Sequence, residues 1–116
     1  MAQEAFVVTF TAAQSAGGQR NIGGETTIGW EPSDSEVAVK VTIMFQGTTI
    51  GVKTLNSTDL TMDYHGTSGE DFTKGRLKAK FGANGKSGQI DSVGALTWSV
   101  SGSSGSYTGF IGEWKV

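Results

Sequence analysis

Glu36-Val37-Ala38-Val39-Lys40-Val41-Thr42-Ile43-Met44-Phe45-Gln46 decides the fold class of this chain. Val37, Val39, Val41, Ile43 and Phe45 recur at every second position. A helix, turning about 100° per residue, would scatter these five side chains around its circumference. An extended strand places all of them on one face, opposite Glu36, Ala38, Lys40, Thr42, Met44 and Gln46. The stretch therefore reads as a half-buried β-strand.

The same period appears on either side. Gln46-Gly47-Thr48 suits a tight turn into residues 49–55, which makes a hairpin. Upstream, Thr26, Ile28 and Trp30 alternate before a break at Glu31-Pro32-Ser33-Asp34-Ser35, where Pro removes a ladder bond and Ser and Asp favour turns. Phe6, Val8 and Phe10 predict a first strand over residues 5–11, and the Gly-rich residues 12–24 read as a long loop. Downstream of a break at Asn56-Ser57-Thr58, Leu60, Met62 and Tyr64 alternate, and residues 65–69 read as another loop. Leu77, Ala79 and Phe81 alternate against Arg76, Lys78 and Lys80, and Asn84-Gly85 follows as a turn. A short strand is expected near residues 89–93, and another carries Leu96, Trp98 and Val100. Residues 101–106 read as a Ser/Gly connection, and the last strand places Phe110, Gly112, Trp114 and Val116 on one face.

This pattern predicts an all-β fold, a single domain over residues 1–116, with about 8–9 short strands. The connections are too short for parallel crossovers, so the pairing is antiparallel. An antiparallel β-sandwich and a closed β-barrel both fit. Composition agrees: eighteen glycines against one proline suit many turns and penalise helices.

Composition also narrows the chemistry. The formal charge of −2 gives no global reason to expect nucleic acid as a partner. With no cysteine and one histidine, disulfides and thiolate zinc sites are excluded and catalytic side chains are scarce. No metal and no cofactor is implied, and the expectation is a protein that is not an enzyme. The N-terminus lacks the basic start and apolar core of a signal peptide. A soluble chain, cytoplasmic or non-classically secreted, is expected, with its compartment otherwise unassigned. His65, flanked by Asp63 and close to Asp71, is the one conventional base. The carboxylates Glu31, Asp34 and Glu36, and Glu70 with Asp71, cluster where solubilising charge is usual.

Two groups of residues remain as candidate sites. Aromatic rings stack on the apolar faces of sugars, so Trp30, Tyr64, Tyr107 and Trp114, with Asp34 and His65, form a candidate ligand-binding set. The second group is basic: five of the nine basic residues fall within positions 74–86, and alternation sends Arg76, Lys78 and Lys80 to one outward face. Such a stripe suits contact with an anionic surface; the plainer reading, an edge strand guarded against aggregation, is the favoured one.

In size and composition the chain resembles small microbial and fungal lectins, aegerolysin-like β-sandwich proteins and compact phage structural subunits. No motif of any of these maps onto it. Three functions follow as expectations. The first is a glycan-binding, lectin-like module whose partner is a glycan or glycosylated surface. The second is a membrane-active toxin component that meets a lipid membrane. The third is a self-associating phage or fibre subunit, and all three are compatible with a homo-oligomer.

Overall fold

The computed structural model describes residues 17–33, 35–83 and 87–115. The strand expected at 5–11, Asp34, the Asn84-Gly85 turn with Lys86, and Val116 lie outside the described residues. Among the described residues every regular element is a strand.

The decisive stretch forms β3 (Ala38–Phe45), and its apolar face is buried as expected. Val39, Val41 and Ile43 are fully buried and Phe45 nearly so, while Val37 lies before the strand and is exposed. Each such burial contributes roughly 1.5–3 kcal/mol of transfer free energy. β3 sits inside a four-stranded antiparallel sheet of order β1-β2-β3-β4, with β1 (Gly18–Gly23), β2 (Thr26–Pro32) and β4 (Thr48–Asn56).

The second sheet has six strands: β5 (Thr61–Ser68), β6 (Asp71–Phe81), β7 (Gly88–Ser92), β8 (Leu96–Val100), β9 (Ser103–Tyr107) and β10 (Phe110–Trp114). The long β6 is its axis. β5 pairs along one edge of β6, while β7 and β8 share the other edge, beside residues 77–81 and 72–74 respectively. β10 and β9 then continue outward from β7 and β8. The sheet is thus a meander whose two outer ribbons are each interrupted once, at 93–95 and at 108–109. Ser92 ties these breaks together, since its N–H donates to Gly109 O and its hydroxyl accepts from Gly109 N–H.

The result, among the described residues, is a two-layer sandwich of ten strands and not a closed barrel. One apolar core joins the layers, with Ile28, Val41, Ile43 and Leu55 from one sheet and Leu77, Ile90, Leu96 and Ile111 from the other. Among the described residues one fully buried polar contact crosses it: the Thr26 hydroxyl donates to the Thr73 hydroxyl at 2.9 Å, and both residues are fully buried.

Several local expectations change. Gly18–Gly23, Thr61–Ser68 and Ser103–Tyr107 are strands, although parts of each read as loop. In the last strand a bulge between Phe110 and Gly112 turns Phe110 outward, to 42% exposure, and buries Ile111. β6 is an interior strand, so its lysines do not guard an edge.

Glycine explains most of these differences. Among the described residues nine glycines lie within strands, and four of them stand directly opposite an aromatic residue. The pairs are Gly18 with Trp30, Gly75 with Tyr64, Gly88 with Trp114 and Gly105 with Trp98. A Cβ at Gly88 would lie 2.4 Å from Trp114 Cζ2, and one at Gly112 would lie 2.2 Å from Trp30 Cη2. The indoles therefore lie flat on bare backbone, where a large ring covers what a glycine leaves open. Without a Cβ a segment such as Ser103-Ser104-Gly105 shows no apolar alternation, and it reads as a linker.

Four two-residue turns close hairpins at 24–25, 46–47, 69–70 and 101–102. Gln46 and Gly47 both have positive φ, at 52° and 79°, as a primed hairpin turn requires. The turns are bound to one another. Gln46 N–H donates to Glu25 O, Gln46 Nε2 donates to Asp71 Oδ2 at 2.7 Å, and Ser101 N–H donates to Asp71 Oδ1 at 2.9 Å.

Candidate binding face

The aromatic candidates do not form a surface site. Tyr64 and Trp114 are 5% and 3% exposed and belong to the core, which corrects their placement in a ligand-binding set. Their strands alternate in phase with the core, and each ring fills the space left by its opposing glycine. Burial pushes the Tyr64 hydroxyl up to about 12, and that hydroxyl has no hydrogen-bond partner. Trp30 is half-buried with its ring between Gly18 and Gly112, and its indole N–H is buried without a partner. Tyr107 is half-buried; its hydroxyl donates to Phe110 O, and the Arg20 guanidinium lies 5.4 Å from its ring centroid. It thus braces the seam between β1 and β9.

The basic candidates do come together. Residues 74, 76, 78 and 80 of β6 all point away from the core, so Lys74, Arg76, Lys78 and Lys80 form one exposed row on the outer face of the six-stranded sheet. At about 3.3 Å per residue the row is roughly 20 Å long. Lys74 was missed as an outward-facing member, because Thr73 and Gly75 on the inner face carry too little apolar character to reveal the alternation.

Register supplies the flanks. His65 stands opposite Lys74, Asp63 opposite Arg76 and Thr61 opposite Lys78 on the β5 side. Thr97 stands opposite Lys74, Asp91 opposite Lys78 and Gln89 opposite Lys80 on the other. Two adjoining hollows follow the row and meet at Val93. One, of ≈ 680 Å³, is lined by Asp63, His65, Lys74, Arg76 and Thr97 among others. The other, of ≈ 690 Å³, includes Ser57, Leu60, Lys78, Lys80 and Asp91. The break at 93–95 opens the sheet surface between them.

Arg76 is committed to a partner on this face. Its Nε lies 2.6 Å from Asp63 Oδ1 and its Nη2 lies 3.3 Å from Asp63 Oδ2. The Arg76 guanidinium holds the Asp63 carboxyl below its ordinary value, and Asp63 in turn raises Arg76. The pair is fully exposed, so water screens it strongly. Among the described residues Lys74, Lys78 and Lys80 have no ion pair, although Lys74 lies over the Phe72 ring at 5.9 Å. His65 is exposed in the strand and belongs to this face.

The carboxylate clusters are placed differently. Asp71 is held by the Gln46 and Ser101 donors, while Glu31 and Glu36 line a separate hollow of ≈ 460 Å³ with Lys40. No group of three His, Asp or Glu residues among the described residues is arranged to hold a metal ion. No protein-family model, curated protein or solved structure matches the chain.

Proposed function

We propose that this chain is a non-enzymatic binding domain that takes an anionic glycan on the outer face of its six-stranded sheet. The observation that supports this is the row Lys74-Arg76-Lys78-Lys80, exposed, regularly spaced and flooring two adjoining hollows. Three of its four cations have no ion pair among the described residues. The chain as a whole is acidic, so this row is a local feature and not a spill-over of global charge.

Thr61, Gln89 and Thr97 flank the cations. Hydroxyl and amide groups of this kind exchange hydrogen bonds with sugar hydroxyls, while the cations meet carboxylate or sulfate. The exposed large apolar residues Val37, Val52, Val93 and Phe110 come from different parts of the chain. Among the described residues two of them stand beside the row, Val93 lining both hollows and Phe110 opposite Asp91; two side chains are less apolar surface than an inserting face presents, which favours a glycan over a bilayer as the anionic partner.

The test is retention at low salt on immobilised acidic polysaccharides, with neutral dextran and anionic phospholipid vesicles as comparators. The expected result is retention on acidic polysaccharide, reversed by salt, and lost in the K74E/K78E/K80E variant while its circular dichroism is unchanged. Wild-type protein that passes unretained, or that binds only vesicles, overturns the proposal.

A further inference from the structure

The two hollows along β6 are chemically matched. In one, Lys74 and Arg76 stand with the Asp63 carboxylate; in the other, Lys78 and Lys80 stand with Asp91. Each therefore offers two cations against one carboxylate, a surplus of a single positive charge. Their centres fall near positions 75 and 79, four residues apart, which is about 13 Å along a strand.

That density decides among polyanions. Duplex DNA carries one charge per about 1.7 Å of axis, so a length of 13 Å brings about eight negative charges. Against such a ligand Asp63 and Asp91 are repulsive elements in the middle of the binding face. Against a chain with one carboxylate per repeat they are tolerable, because each hollow needs to neutralise only one charge. Asp63 also holds two of the Arg76 nitrogens, Nε and Nη2, which leaves the remaining guanidinium donors for a single ligand group. Asp91 is similarly engaged, accepting from Gln89 Nε2 at 2.9 Å.

Granted the binding mode above, we infer that the ligand is an extended, sparsely charged acidic glycan of the uronate class that occupies both hollows in series. Asp63 and Asp91 select it against densely charged chains. Spanning both hollows makes the second contact intramolecular, so affinity climbs once a fragment reaches across Val93.

The experiment is calorimetric titration of the folded protein with hyaluronan fragments of increasing length, heparin, a single-stranded oligonucleotide and dextran. Wild-type protein is expected to bind hyaluronan, with an affinity gain of about tenfold at the length that spans both hollows. The D63N/D91N variant is expected to gain affinity for both chains, with the gain for heparin about tenfold larger than that for hyaluronan. An unchanged heparin-to-hyaluronan ratio in that variant, or an affinity independent of fragment length, overturns this inference. Preferential heparin binding by the wild type, lost in K74E/K78E/K80E, leaves the anionic-glycan reading standing and removes only its uronate form. No binding of any acidic chain by wild type or variant removes both.

Discussion

The seams between the sheets and the outer face of β6 are built on opposite rules, although both depend on strand alternation. In the seams, large rings rest on glycines, nothing is spare, and a single added carbon meets an indole. On the outer face, long cations stand clear of one another with water around them. The first region governs whether the chain folds; the second is where charge is left unsatisfied and where a ligand is proposed to act. The difference teaches that aromatic residues in a glycine-rich β-protein are suspects for packing before they are suspects for binding.

Substitutions should separate the two regions. The largest effect is expected in the seams: Gly112→Ala and Gly88→Ala each place a carbon within 2.4 Å or less of an indole, and at Gly88 also 2.7 Å from the Lys80 carbonyl oxygen. Each should cost about 3 kcal/mol of stability, read by chemical denaturation, with ligand affinity of the folded fraction unchanged. A melting temperature within a degree of wild type would refute the seam argument.

On the outer face the reverse is expected. K74E/K78E/K80E should weaken acidic-polysaccharide binding by about 100-fold, equivalent to about 2.7 kcal/mol, while each substitution moves stability by less than about 0.5 kcal/mol. A stability loss as large as the binding loss would erase the distinction between the regions.

Asp71 lies between these extremes, as a polar residue with a structural task. Asp71→Ala removes the acceptor of Gln46 Nε2 and of Ser101 N–H and should cost about 2 kcal/mol. Hydrogen exchange should quicken at the 46–47 and 101–102 turns first.

The smallest effect is expected at Tyr64. Its buried hydroxyl lacks a partner, so Tyr64→Phe should be neutral or slightly stabilising at pH 7. The pH dependence is sharper. The folded protein holds the phenolic proton up to about 12, whereas the unfolded chain releases it near the ordinary phenol value of 10.0. Between those values the unfolded state binds fewer protons, so stability falls as pH rises, and Tyr64→Phe should flatten that alkaline decline. An identical decline in both proteins would assign it to another group.

How much of this was legible follows from where the apolar residues stand. Val39, Val41, Ile43 and Phe45 announce β3 because each inward position carries a large side chain. Leu77 and Ala79 likewise announce β6 and, by alternation, send Arg76, Lys78 and Lys80 outward. β9 was illegible because its inward position is Gly105, and the bulky partner that completes it, Trp98, belongs to another strand. Pairing at long range, not local pattern, makes that segment a strand. Alternation already set Tyr64 in phase with Met62, but nothing local says that Gly75 and Gly88 will face Tyr64 and Trp114 and leave room for their rings. The two hollows depend on the register of β5, β7 and β8 against β6, and register is fixed only by the assembled sheet.

The Thr26–Thr73 pair has a consequence for the uniqueness of the fold. Apolar packing is non-directional, and two greasy sheets can slide or rotate against each other at modest cost. A hydroxyl pair sealed between them favours one alignment, because a slip breaks the contact: Thr26 keeps Gly24 O within reach at 3.4 Å, whereas Thr73 loses its partner in the core. The pair adds a buried directional contact to the ring-on-glycine packing and the Gln46–Asp71 bond that also join the layers. A double replacement by valine would keep the volume and much of the stability while letting the layers drift among several stackings, visible as broadened methyl resonances in a chain that remains fully β.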